Sequence, residues 1–166
     1  MHTETSNSQS SIKDQATIVT PEEGEFVRPF GLDMRIMLTT EQTGGALAAV
    51  YARHEPEQGP IDHVHFHQEE YFLVIEGTYK ITAGDVTRTA GPGTLCFIPR
   101  GVVHSFKNVG TGTASMLDWS IPGGQDKYFR TIHELGEGGG FDAGKIVEIS
   151  RAHDTEFPNR ESAAEL

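Results

Sequence analysis

The sequence predicts an all-β fold, a sandwich or small barrel closed by one or two short C-terminal helices. Three observations carry this. Short apolar-rich runs recur at regular intervals between residues 35 and 121, each bounded by turn residues. The chain holds 19 glycines and 8 prolines, which favours many turns over long helices. After Pro122-Gly123-Gly124 the apolar spacing changes to that of a helix.

In chain order, Arg35–Thr40 and Ala46–Arg53 read as strands, and the loop Glu55–Pro60 leads into a strand around His63. Tyr71–Ile75, Thr78–Thr82 and Val86–Thr89 follow, separated by Glu76-Gly77 and Ala83-Gly84-Asp85. Gly91-Pro92-Gly93 precedes Thr94–Ile98, Pro99-Arg100-Gly101 precedes 102–109, and Gly110-Thr111-Gly112 precedes Ala114–Ile121. Tyr128, Phe129, Ile132 and Leu135 share one helical face, so residues 125–135 form a helix, and a weaker one spans 142–153. Residues 1–15 are almost wholly polar and read as a disordered tail, residues 154–166 as a loose one, and 16–153 as a single domain with its barrel over about 30–122.

At 166 residues the chain is long enough for a sizeable core. A net charge of -11 repels phosphate backbones, which argues against nucleic acid and anionic membranes as partners. No apolar run reaches the roughly 20 residues of a membrane span. The N-terminus lacks a signal-peptide segment, and the single cysteine, Cys96, reads as a buried inert thiol, so a cytoplasmic location is expected.

The chemistry concentrates in two segments. His63-Val64-His65 is followed by four residues and Glu70, and His104 lies in Gly93–Asn108. Residues two apart on a strand share a face, so His63 and His65 point together. A barrel can bring the His104 strand beside them. Three imidazoles and one carboxylate suit a divalent transition metal with open coordination positions: iron, nickel, cobalt, manganese or zinc.

These segments resemble the two signature motifs of the cupin superfamily. Gly93, Pro99, Gly101, His104 and Asn108 fit the second motif at every fixed position. His63, His65, Glu70 and Gly77 fit the first, whereas its leading glycine is replaced by Glu57. The 15 residues from Thr78 to Pro92 give the compact spacing found in bacterial members. The resemblance implies a double-stranded β-helix (jelly-roll) barrel. It also implies a homodimer, with residues 16–40 supplying an exchanged strand for which Ala16–Thr20 has the composition.

A second frame competes at the first motif, because His65-Phe66-His67 is also a His-x-His pair and Gly59 precedes His65 by six positions. That frame leaves only two residues before Glu70, so His63 and His65 are favoured. His67 is then a turn residue, contacting substrate or simply solvated. The step to Gly77 favours Glu70 over Glu69. Phe72, Val74, Phe97 and Phe106 wall a candidate apolar pocket, although core packing explains them as well. Asp118 interrupts an apolar strand. It orients a ligand, acts as a base with raised pKa, or faces solvent on the outer sheet, the last being favoured. Trp119 reads as core, and His2, His54, His133 and His153 as surface.

Within the superfamily the chain is similar to the small single-domain cupins related to quercetin 2,4-dioxygenase, on the ligand set and on Ser120–Phe129. That resemblance implies a flavonol-like or other enolisable aromatic or polyketide substrate, dioxygen as co-substrate, and Glu70 as both ligand and base. A non-redox isomerase, decarboxylase or cyclase is the alternative, and a non-catalytic small-molecule binder the third reading.

Overall fold

Among the described residues, nine strands form two antiparallel sheets around one core. The structure is a computed structural model, and it describes residues 16–139 and 142–158. The strands are β1 (Glu25–Val27), β2 (Asp33–Leu38), β3 (Ala48–His54), β4 (Glu69–Glu76), β5 (Tyr79–Ala83), β6 (Val86–Ala90), β7 (Leu95–Ile98), β8 (His104–Asn108) and β9 (Ala114–Ile121). They form a six-stranded sheet in the order β1-β2-β3-β9-β4-β7 and a three-stranded sheet in the order β6-β5-β8. Phe72, Val74 and Met116 from the first sheet meet Tyr79, Ile81 and Phe106 from the second. Period-two alternation is why the pattern is legible: in β4, Glu70, Phe72 and Val74 are buried while Tyr71 and Leu73 face outward.

The helices close one side. α1 (Gln125–Glu137) buries Tyr128, Phe129 and Ile132, and α2 (Ala143–Ala152) buries Ile146. Asp142 caps α2 by accepting from the Lys145 N–H at 2.9 Å. The Tyr128 and Ser150 hydroxyls, 2.8 Å apart, join the helices. Asp126, fully buried, accepts from the Thr40 backbone and side chain and from Arg130, while Arg130 also grips Glu25. These contacts dock α1 onto β1 and the turn after β2.

Several expectations change. The segment around His63 is no regular strand; a single antiparallel bridge links His63 to His104. Residues 16–20 form no strand, and β1 pairs with β2 and β2 with β3 within the chain. The expected 1–15 tail, including His2, lies outside the described residues. Trp119 is not core: it stacks at 3° on Tyr71 on the outer face of the large sheet. Cys96 is half-buried, and burial pushes its thiol up. His133 and His153 are half-buried rather than exposed.

His54 departs furthest from its expected surface position. It is 0% exposed, on the inner face at the end of β3, and its Nδ1 lies 2.9 Å from the Tyr79 hydroxyl. The deciding feature is parity: His54 continues the inward series Val50, Ala52. The motif departure at Glu57 also has a physical reading. Glu57 adopts φ 68, the left-handed conformation a glycine would take, at a cost of about 1 kcal/mol. Gly77 is irreplaceable in a different way, with φ +79 and a Cβ that would run into the Ala114 side chain.

Gly77→Ala therefore combines left-handed strain with overpacking and should destabilise by about 2–4 kcal/mol, read as a lower denaturant midpoint. Burial lowers the His54 pKa from 6.5 to about 4. The unfolded chain thus takes up this proton first on acidification, and stability is lost as pH falls from 6.5 towards 4. The loss attributable to His54 is about 3 kcal/mol. Denaturation of His54→Gln across that range should show a correspondingly flatter profile than the wild type.

Candidate metal centre

Backbone pairing brings distant parts of the chain to one point. His63 donates its N–H to the His104 carbonyl at 3.0 Å, and His104 returns the bond at 2.9 Å, which sets the two side chains together. The Gly101 N–H donates to the His65 carbonyl at 2.7 Å, tying the turn before β8 to the first histidine pair. Glu70, second residue of β4, reaches inward between Ile98 of β7 and Ser120 of β9. All four side chains are buried, and one ligand atom from each lies within 4.8 Å of the others. The structure thus assembles His63, His65, Glu70 and His104, the set that the spacing singled out.

Three hydrogen bonds decide how the rings present themselves. His63 Nδ1 lies 2.8 Å from the Ile61 carbonyl, His65 Nδ1 2.7 Å from that of Asp154, and His104 Nδ1 2.9 Å from that of Val102. A carbonyl only accepts, so each Nδ1 carries the proton and each neutral ring turns an Nε2 lone pair inward. Yet His104 Nε2 lies 2.7 Å, and His65 Nε2 3.3 Å, from Glu70 Oε2. Lone pairs cannot face lone pairs at that range without a cation between them, a proton or a metal ion. Three imidazole nitrogens and one carboxylate oxygen, each backed by a second hydrogen bond, fit a divalent transition metal. Gln125 supplies the backing for the glutamate by donating from Nε2 to Oε1, which leaves Oε2 to the histidines.

Burial pushes the His63 imidazole down to about 3, with charge at His104 adding to the effect. Burial pushes the Glu70 carboxyl up, but His65 and His104 outweigh it and hold the group well below the usual carboxylate range. Burial lowers His65, and Glu70 more than offsets this to raise it. The cluster is therefore an anionic carboxylate sharing positive charge with histidines.

Asp118 corrects the solvent-facing expectation. It is buried on the inner face of β9, opposite Phe72, in the same series as Met116 and Ser120. Burial pushes its carboxyl well up, and the charge of neighbouring Glu70 adds to the rise. A neutral acid thus lies beside an ionised one. Its Oδ1 has no hydrogen-bond partner among the described residues.

A cavity of about 370 Å³ opens beside the cluster. Phe106 and Asp118 line it, but Phe72 and Val74 do not: both are buried in the core behind the wall. Phe97 is 53% exposed and packs on Tyr71 on the outer face, because odd-numbered positions of β7 point outward. The apolar wall comes instead from Phe30, Leu32, Met34, Tyr128, Phe129 and Phe157. Phe30, Leu32, Met34 and Phe157 lie far from the motifs in sequence with no motif signal to mark them, and Tyr128 and Phe129 show there only as the apolar face of a helix.

The C-terminal segment also departs from the loose tail expected. The Asp154 carboxylate accepts from the N–H groups of Phe66, His67 and Gln68 at 3.0, 2.8 and 3.0 Å. Glu156 exchanges two backbone bonds with Val64. Residues 154–157 thus strap the histidine segment down, and residues 159–166 lie outside the described part. His67, with its side chain 85% exposed, pairs with Asp154 and turns away from the cavity.

Replacing His63, His65 or His104 by alanine should each abolish tight metal retention, while His67→Ala keeps it; elemental analysis after dialysis distinguishes the two. Ending the chain after Ala152 removes the carbonyl that holds His65 and should lower metal affinity about 10–100-fold.

Comparison with known proteins agrees with this architecture. Residues 50–120 match the family described as the cupin domain. The chain is 30% identical over 66 residues to mannose-1-phosphate guanylyltransferase 2 of Escherichia coli O157:H7, covering 40% of this chain and 14% of that protein. It is 29% identical over 108 residues to Protein SchB of Streptomyces halstedii, covering 63% and 77%. It is 25% identical over 131 residues to quercetin 2,3-dioxygenase of Bacillus subtilis (strain 168), covering 78% and 39%. The chain therefore spans well under half the length of two of these three relatives. Among solved structures, a predicted oxalate decarboxylase from Thermotoga maritima superposes with a TM-score of 0.59 at 18% identity, covering 64% of this chain and 99% of that one. No helix among the described residues is long and apolar enough to cross a membrane. The antiparallel barrel and the buried cluster agree with the cupin-domain match over residues 50–120.

Proposed function

We propose that this chain is a metal-dependent cupin enzyme, a dioxygenase acting on a flavonol-like or other enolisable aromatic substrate. The observation that carries the reading is the juxtaposition of a buried three-histidine, one-glutamate cluster with a cavity walled largely by aromatic side chains. The 25% identity to quercetin 2,3-dioxygenase of Bacillus subtilis supports it.

His63, His65, Glu70 and His104 would hold the metal, which when bound lowers the pKa of a substrate hydroxyl and supplies redox chemistry with dioxygen. Glu70 is the base. Its carboxylate is ionised, and Gln125 fixes Oε1 so that Oε2 is the oxygen available to take the hydroxyl proton. Phe30, Tyr128, Phe129 and Phe157 hold the planar substrate and exclude water from the reacting face.

One observation favours a second reading. Asp118, held neutral beside ionised Glu70, makes an acid and a base within one site. Such a pair can move a proton between two carbon or oxygen positions without dioxygen, as a non-redox isomerase, decarboxylase or cyclase requires.

An oxygen electrode separates the two. Metal-loaded protein given a flavonol should consume one dioxygen per substrate lost, and Glu70→Ala should reduce turnover at least 100-fold. Unchanged turnover under strict anaerobiosis would favour the second reading instead.

A further inference from the structure

The cavity holds a polar group that the metal chemistry leaves unused. His54 lines it, fully buried, at the end of β3. Its Nδ1 meets the Tyr79 hydroxyl at 2.9 Å, and its Nε2 is buried with no hydrogen-bond partner among the described residues. The surroundings are apolar, with the Phe106 ring edge-on to the imidazole at 5.2 Å. An unpaired buried nitrogen costs roughly 1–3 kcal/mol, so it is retained for a partner that arrives with a ligand.

Hydrogen-bond accounting fixes which kind of partner. Tyr79 is fully buried, and His54 is its sole side-chain partner among the described residues. If His54 donated to the phenol oxygen, the Tyr79 proton and the Nε2 lone pair would both be left unpaired. If Tyr79 donates to Nδ1, only one group stays unpaired, and that group is an Nε2–H donor. Burial supports a neutral ring, since it lowers His54 to about 4 and raises Tyr79. The free group is thus a neutral N–H that selects an acceptor oxygen.

Its position sets the shape of the ligand. On β3, Val50 pairs with Asp118 whereas His54, four residues on, pairs with Ala114. At ~3.4 Å per residue, His54 lies about 14 Å along the strand from the level of Asp118. Glu70 pairs with Ser120, and Ser120 with Ala48 at the opposite end of β3, so a ligand that reaches both His54 and the cluster must extend along the cavity.

We propose that His54, oriented by Tyr79, is the specificity-determining anchor of this cavity. It donates a hydrogen bond to an oxygen at the distal ring of a polycyclic phenol whose enolisable oxygen sits at the His63–His65–Glu70–His104 cluster. The inference rests on the flavonol reading and adds to it the end of the substrate that is read.

The test compares two probes that differ by one oxygen: 3-hydroxyflavone, and 3,4′-dihydroxyflavone with a hydroxyl on the distal ring. Binding to anaerobic metal-loaded protein is followed by fluorescence titration. Wild type should bind the dihydroxy compound about tenfold more tightly. His54→Leu should erase that preference and leave 3-hydroxyflavone affinity within about twofold, while His54→Gln, which keeps a donor, should restore part of it. Tyr79→Phe should reduce the preference by freeing the ring to turn, a discrimination effect that mere loss of packing would not give. It also carries the test if the leucine variant fails to fold. Equal wild-type affinity for both probes, or a preference that survives both His54→Leu and Tyr79→Phe, overturns the inference while leaving the flavonol reading intact. Failure of both probes to bind wild type overturns that reading and this inference together.

Discussion

The orientation of three imidazole rings governs the rest of this structure. Each ring donates Nδ1–H to a backbone carbonyl, and those carbonyls come from Ile61, Val102 and Asp154. Backbone acceptors cannot rotate away or ionise, so they fix ring tilt and tautomer at once. With the protons placed there, the Nε2 lone pairs converge on Glu70 Oε2, and the centre demands a cation. Had the rings donated inward, the same four residues would form an ordinary buried hydrogen-bond cluster.

That demand explains features that otherwise look unrelated. Residues 154–157 return from α2 to the far end of the domain because the Asp154 carbonyl must reach His65, and its carboxylate steadies the turn at 66–68. Gln125 opens α1 beneath β4 and holds the Glu70 oxygen that faces away from the histidines. The Asp126 and Arg130 contacts lock α1 in place, so the helix that walls the cavity also sets the glutamate. Fold and site are therefore one construction, in which the C-terminal elements complete what the strands begin.

Much of this was legible in the sequence. The strands were visible because inward and outward residues alternate, and the ligand set because His63-x-His65, Glu70 and His104 obey strict spacings. The cavity was not. Phe72 and Val74 share the inward face of Glu70, yet such a residue faces either core or cavity according to local twist, which spacing does not encode, and Phe97 lies on the outward parity of its strand. The true wall, with Phe30, Tyr128 and Phe157, arrives from elements that only the tertiary fold brings together. Asp118 and His54 were read as outward because polar residues usually are; strand parity, continued from Met116 and from Val50, would have turned both inward. The role of Asp154 rests on a backbone carbonyl, which no residue type announces.

X-ray absorption at the metal edge of protein purified without added metal addresses the central claim most directly. The account predicts a single divalent site with three imidazole nitrogens and at least one carboxylate oxygen at about 2.0–2.2 Å. A protein that holds no metal at stoichiometric supply, or a first shell with fewer than three imidazole nitrogens, would contradict it.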